Sequence, residues 1–219
     1  MASLSHKLTP LEKKNGPLPK LLPADIVLVR IKGSSLRGLI RFVTKSYWDH
    51  VAMIVYPKGE NKLEHSIIVE NIAPPHSLLY FLLDSAEKGA EMHKLDKYLN
   101  NPKKYDIGIK RLDWLSAKHR EQIAAFSLTN LDTPYWRLPF FRFLLAAIWP
   151  NYRRWFLRHQ RWSCSAAVQH AYYESIVEWR DRFKVVFKQG DLSPIEMQDL
   201  ISPAEIASSF KTDWVYNEH

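Results

Sequence analysis

Thiols are nearly absent from this chain: its 219 residues include one cysteine, Cys164. A lone thiol cannot close an internal disulfide, so a disulfide scaffold is excluded, and the count fits a reducing compartment. An apolar leader is missing as well. Met1 to Lys20 is polar and basic with several prolines, so export through a signal peptide is not expected. No stretch reaches the roughly 18 uninterrupted apolar residues of a spanning helix. Internal repeats and low-complexity tracts are lacking. So is any recognisable nucleic-acid module, and nucleic acid is not an expected partner. Acids are missing from one stretch in particular. Between Arg137 and Arg161 the cations Arg142, Arg153, Arg154 and Arg158 follow one another with no Asp or Glu among them.

What is present is an ordinary globular composition. Hydrophobic residues make up 46% and charged residues 25%, which excludes wholesale disorder, and the net charge is +8. That length and content suit one domain with its own core. Residues 1–22 read as an extended arm, and residues 23–219 as the folded domain.

Hydrophobic patterning divides the domain into elements. Asp25 to Ile31, His50 to Tyr56, Ser66 to Ile72, Gly89 to Leu95 and Tyr105 to Leu112 read as strands. Leu36, Leu39, Ile40 and Val43 recur at helical spacing, giving a short amphipathic helix. Ser116 to Leu131 reads as a longer one, with Leu115, Ile123, Ala124 and Phe126 turned inward. Residues 77–83 fit strand or helix equally. A run of strands followed by helices predicts an α+β fold, with helices packed on an antiparallel sheet and a hairpin joining the second and third strands.

Cys164 stands at the start of a further helical run that extends to Glu178, with Ser163 placed to cap it. In a first turn, unpaired backbone N–H groups and the helix dipole favour an anion, and this lowers a thiol pKa. The alternative is a buried cysteine acting as a small hydrophobe. A nucleophilic thiol needs a base, and the base needs an orienting group. Of nine histidines, His50 opens an apolar strand, where a rigid backbone can aim a side chain into a cleft. Glu70 is an acid inside the apolar run Ile67 to Ile72, and a buried carboxylate requires a partner. Asn71 and His65 are the alternatives to Glu70, because a one-residue slip exchanges the faces of a strand.

These residues carry a resemblance. Pro23-Ala24-Asp25-Ile26-Val27, then Leu36 to Thr44, then Trp48-Asp49-His50-Val51-Ala52-Met53-Ile54-Val55 resembles the opening of the circularly permuted papain-like proteins of the NlpC type, the YiiX/YaeF-like group. In that group a G-D-I-V strand leads to a helix and then to an S-H-V-G-I-V strand. Ile68-Val69-Glu70-Asn71 is similar to its V-I-E-A strand, and Trp162-Ser163-Cys164-Ser165-Ala166 to its Y-C-S-E-L helix start. Thr133-Pro134-Tyr135-Trp136 and Ser202-Pro203-Ala204-Glu205-Ile206-Ala207 resemble the segments G-T-P-Y and T-P-x-D-L-A. Ala24 replaces a usual glycine, Asp49 a usual serine and Ala166 a common glutamate.

The resemblance implies a permuted papain-like α+β fold and a thiol hydrolase. Cys164 would be the nucleophile, His50 the base and Glu70 the orienter. Asp25, Tyr135 and Ser163 would be pocket residues, with capping or bracing the first strand as the equal alternative for Asp25. No cofactor or metal is called for. The substrate would be a small peptide, an amino-acid amide or, as in the more distant lecithin:retinol acyltransferase-like proteins, an acyl lipid. A binding module that keeps the fold without the chemistry is the rival reading.

The acid-free stretch, about residues 136–162, mixes arginine with tryptophan and phenylalanine. It reads as an insertion that covers the sheet as a helical hairpin or lies at an anionic membrane surface. The expected location is cytoplasmic, with peripheral membrane attachment as the variant that this stretch raises.

Overall fold

The computed structural model describes residues 20–33, 38, 41, 42, 46–71, 90–131, 163–187 and 201–217. Six antiparallel strands form one sheet: β1 (Ile26–Ile31), β2 (His50–Tyr56), β3 (Ile67–Asn71), β4 (Ala90–Lys94), β5 (Tyr105–Arg111) and β6 (Asp213–Asn217), in the order β4-β3-β2-β1-β5-β6. The described helices are α1 (Asp96–Leu99), α2 (Ala117–Thr129), α3 (Cys164–Ser175), α4 (Trp179–Arg182) and α5 (Pro203–Ser208). Among the described residues no helix is long and apolar enough to cross a membrane.

Ile26 to Val29 of β1 and Val51 to Val55 of β2 are apolar without interruption because both faces of the two strands are covered there. Ile26, Leu28, Val51 and Met53 pack into one core with Val168, Ala171 and Tyr172 of α3. Val27, Val29, Ala52 and Ile54 pack into a second core on the other face, with Leu95 and Tyr98. Central strands buried on both sides lose the polar alternation of a half-exposed sheet.

Two sequence details position the strands. Ala24 takes φ 64, a left-handed conformation that glycine adopts without strain, and its carbonyl accepts from the buried Tyr172 hydroxyl. At Gly108 a Cβ would lie 2.6 Å from Trp214 and 2.9 Å from Trp48. Two indoles therefore cross β5 at the one residue that presents no side chain. Lys110, on the same strand, is buried, and its ammonium donates to the carbonyls of Ile206, Ala207 and Ser209 at the end of α5. A cation at a helix C-terminus is favourable there, while burial pushes its pKa down to about 8.

The five expected strands appear within a residue or two of their anticipated ends, and β2 pairs antiparallel with β3. The helix expected over Ser116 to Leu131 is α2, capped by Ser116. Of the short helix expected around Leu36 to Val43, the described residues Gly38, Arg41 and Phe42 are helical. The arm up to residue 19, residues 77–83, Tyr135 and the 136–162 insertion lie outside the described residues. Strand β6 and the one-turn α1 had not been anticipated.

Candidate active site

Ser163 sets the position of the thiol. Its backbone is extended (φ −71°, ψ 167°) and its hydroxyl accepts from the Ala166 N–H at 3.2 Å, so α3 begins at Cys164. The helix packs on the face of β2 that carries Val51 and Met53. Cys164 is 8% exposed.

The sheet register brings base and carboxylate together. Glu70 stands opposite Ala52 across the β2–β3 ladder. His50, two residues before Ala52, is therefore its diagonal neighbour on the same face. His50 Nε2 lies 2.6 Å from Glu70 Oε2. With Nε2 so engaged, Nδ1 is the nitrogen that remains for the Cys164 thiol, to which the imidazole is also hydrogen-bonded. The ladder between β2 and β3 ends at Ala52 and Glu70. Past that end, the Val51 N–H is directed at the Cys164 sulfur. Ser165 Oγ lies 3.9 Å from the same sulfur.

Electrostatics follow from this chain of contacts. For all three groups burial opposes ionisation, and for all three the partners prevail. Burial pushes His50 down, but the thiolate and Glu70 on either side lift its pKa to about 9. Burial pushes Glu70 up, yet hydrogen bonds from His50 and Lys97 hold it at about 2. Burial pushes the Cys164 thiol up, while the imidazolium, the Val51 N–H and Ser165 bring it below its ordinary value. The favoured state is a thiolate–imidazolium pair backed by a carboxylate.

A cleft of about 370 Å³, including its open mouth, borders Cys164 and Glu70. Val51, Met53 and Val69 of the sheet, Phe126 of α2, and Ala167 and Ala171 of α3 make it mainly apolar, with Cys164, Glu70 and Asn71 among its walls.

The other candidates fall elsewhere. Asp25 does not line the cleft. Arg111 clamps it through two hydrogen bonds of 2.7 and 2.6 Å, and the Leu22 N–H donates at 2.8 Å. This is the bracing role that the sequence left open. Burial raises the Asp25 pKa despite those partners. His65 is exposed beside Glu64, and Asn71 lines the cleft one residue beyond Glu70. Tyr98 and Lys97, which both bond Glu70, were not found from sequence. A one-turn helix has no periodicity to reveal them.

A six-stranded antiparallel sheet with helices, and a cysteine helix laid across its second strand, defines a mixed α+β protein of YiiX-like fold. Among solved structures the chain is similar to metalloprotein YiiX from Escherichia coli O157:H7, with a TM-score of 0.57 and 17% identity, covering 91% of this chain and 98% of that one. No protein-family model matches the chain, and no curated protein does.

Proposed function

We propose that this chain is a thiol hydrolase of the permuted papain-like type that works through an acyl-enzyme. The observation that carries this reading is the series Cys164–His50–Glu70, whose thiol and carboxylate stand at the wall of a cleft. The order histidine, carboxylate, cysteine along the chain is that of the permuted group. The thiolate of Cys164 attacks a carbonyl carbon, forming the C–S bond as the carbonyl electron pair moves onto oxygen. The His50 imidazolium gives its proton to the leaving nitrogen or oxygen as that bond breaks. Neutral His50 then takes a proton from water attacking the thioester, and C–S cleavage restores the thiolate and the imidazolium. Glu70 stabilises the imidazolium and fixes the ring. The Cys164 N–H, in the first turn of α3, is the proposed oxyanion donor, a contribution of about 3 kcal/mol.

The apolar cleft supports an apolar acyl substituent beside the thiol. Among the described residues that line the cleft, Glu70 is the only carboxylate and none is a lysine or arginine, and Glu70 is already engaged. Amide and ester substrates share this chemistry, and so do peptide and acyl-lipid ones.

The YiiX structure is described as that of a metalloprotein. Among the described residues of this chain no group of three His, Cys, Asp or Glu side chains is arranged to hold a metal. Both oxygens of Glu70 are also taken by His50, Tyr98 and Lys97. These residues do not fit a metal, and no metal-dependent step is proposed.

Intact-mass analysis during turnover of p-nitrophenyl acetate and an amino-acid p-nitroanilide tests the reading. It predicts an acyl adduct on Cys164, absent in Cys164→Ala and formed about a hundredfold or more slower in His50→Ala. No adduct and no turnover with either compound would favour the binding module instead.

A further inference from the structure

Glu70 has more partners than the orientation of one imidazole requires. Besides His50, its Oε2 accepts from the Tyr98 hydroxyl, and its Oε1 lies 2.7 Å from Lys97 Nζ. Both extra donors come from α1, on the sheet face opposite the thiol helix. Tyr98 is 3% exposed, and its ring stands edge-on to Tyr105 at 4.9 Å, which fixes the hydroxyl. The Lys97 side chain is 31% exposed. From β4, His93 Nε2 is 4.0 Å from Oε1 and is itself held by Glu91 at 3.0 Å, with Glu91 opposite Glu70 in the ladder. A carboxylate with 2% of its surface exposed stays charged only while such donors surround it.

We infer that Tyr98 and Lys97 are positioning residues for the thiol: acting through Glu70, they hold the carboxylate charged and fixed, and so set how much of Cys164 is thiolate. This inference rests on the thiol-hydrolase reading. The two donors differ in kind. Tyr98 acts from a buried site that salt does not reach, whereas the charge of Lys97 is partly screened by salt.

Iodoacetamide labelling of Cys164 as a function of pH, in the full chain, tests the assignment. In Tyr98→Phe, which keeps the ring stack, and in Lys97→Met, the acid limb of the profile moves upward. Labelling at pH 6 falls about tenfold, as expected for loss of a hydrogen bond to a charged group. Lys97→Arg restores the wild-type profile, and the Lys97→Met deficit shrinks at high salt. In a His50→Ala background the Tyr98→Phe change has no further effect, because Tyr98 acts through the imidazole. Folded Tyr98→Phe and Lys97→Met proteins whose acid limbs superimpose on that of wild type would overturn the inference and leave the Cys164–His50 pair standing. A wild-type profile centred near pH 8.5, the ordinary thiol value, would instead remove the reading beneath it.

Discussion

The nucleophile proposed at Cys164 has to be an anion where there is little water, and the stability of the protein should record how that is arranged. Glu70 titrates at about 2 in the fold, against 4.5 as its ordinary value. Its contribution is therefore complete above pH 4.5 and is lost as pH falls through 2. The stability gap between wild type and Glu70→Gln, read from urea unfolding, should be widest above pH 4.5 and close toward pH 2. His50, raised from 6.5 to about 9, contributes stability below 6.5 that is lost as pH rises through 9. Cys164, lowered from 9.0, contributes in the opposite sense over much of the same range. The two slopes oppose each other, so the pair leaves stability less dependent on pH between about 6.5 and 9 than either group would alone. Ala24 is a second residue-scale case. Its φ of 64 accounts for the glycine usual at this place in the resembling group. Ala24→Gly should raise stability by up to about 1 kcal/mol in thermal unfolding, since the relieved strain exceeds the chain entropy that glycine adds.

At the scale of elements, two contacts decide whether strand and helix present the site correctly. Gly108 lets Trp48 and Trp214 cross β5. Gly108→Ala forces backbone and two indoles apart and should cost about 1–3 kcal/mol in urea unfolding. Ser163→Ala removes the cap of α3, costs about 1 kcal/mol and loosens the turn that holds the thiol. Most elements were legible in the sequence because their signals are local. Asp25 to Ile31 and His50 to Tyr56 are β-branched runs, Ser116 and Ser163 precede helical runs, and Ser202-Pro203 with Glu205 closes a capping box on α5. Strand β6 escaped notice because Asp213–Asn217 is a short, half-buried edge strand that gains its character only from β5 beside it. The single turn of α1 carries no period at all.

At the scale of the whole molecule, what sequence could not settle was register. Glu70 was the choice on the sequence, with Asn71 and His65 as alternatives because register was open; the ladder sets Glu70 opposite Ala52, and no local signal encodes that pairing. Asp25 illustrates the same limit, since its partner Arg111 is 86 residues away. The net charge of +8 gives a further expectation at this scale. Co-sedimentation with phosphatidylserine vesicles should occur at low salt and weaken as salt rises; no binding at low salt would count against a membrane role for the arginine-rich stretch. The central claim is the Cys164–His50 ion pair, and the pH dependence of Cys164 alkylation measures it most directly. Wild type should label at a nearly constant rate from about pH 9 down past neutrality. In His50→Ala the rate should instead fall steeply with pH below an ordinary thiol midpoint of about 8.5 or above. Identical profiles for the two proteins would contradict the account.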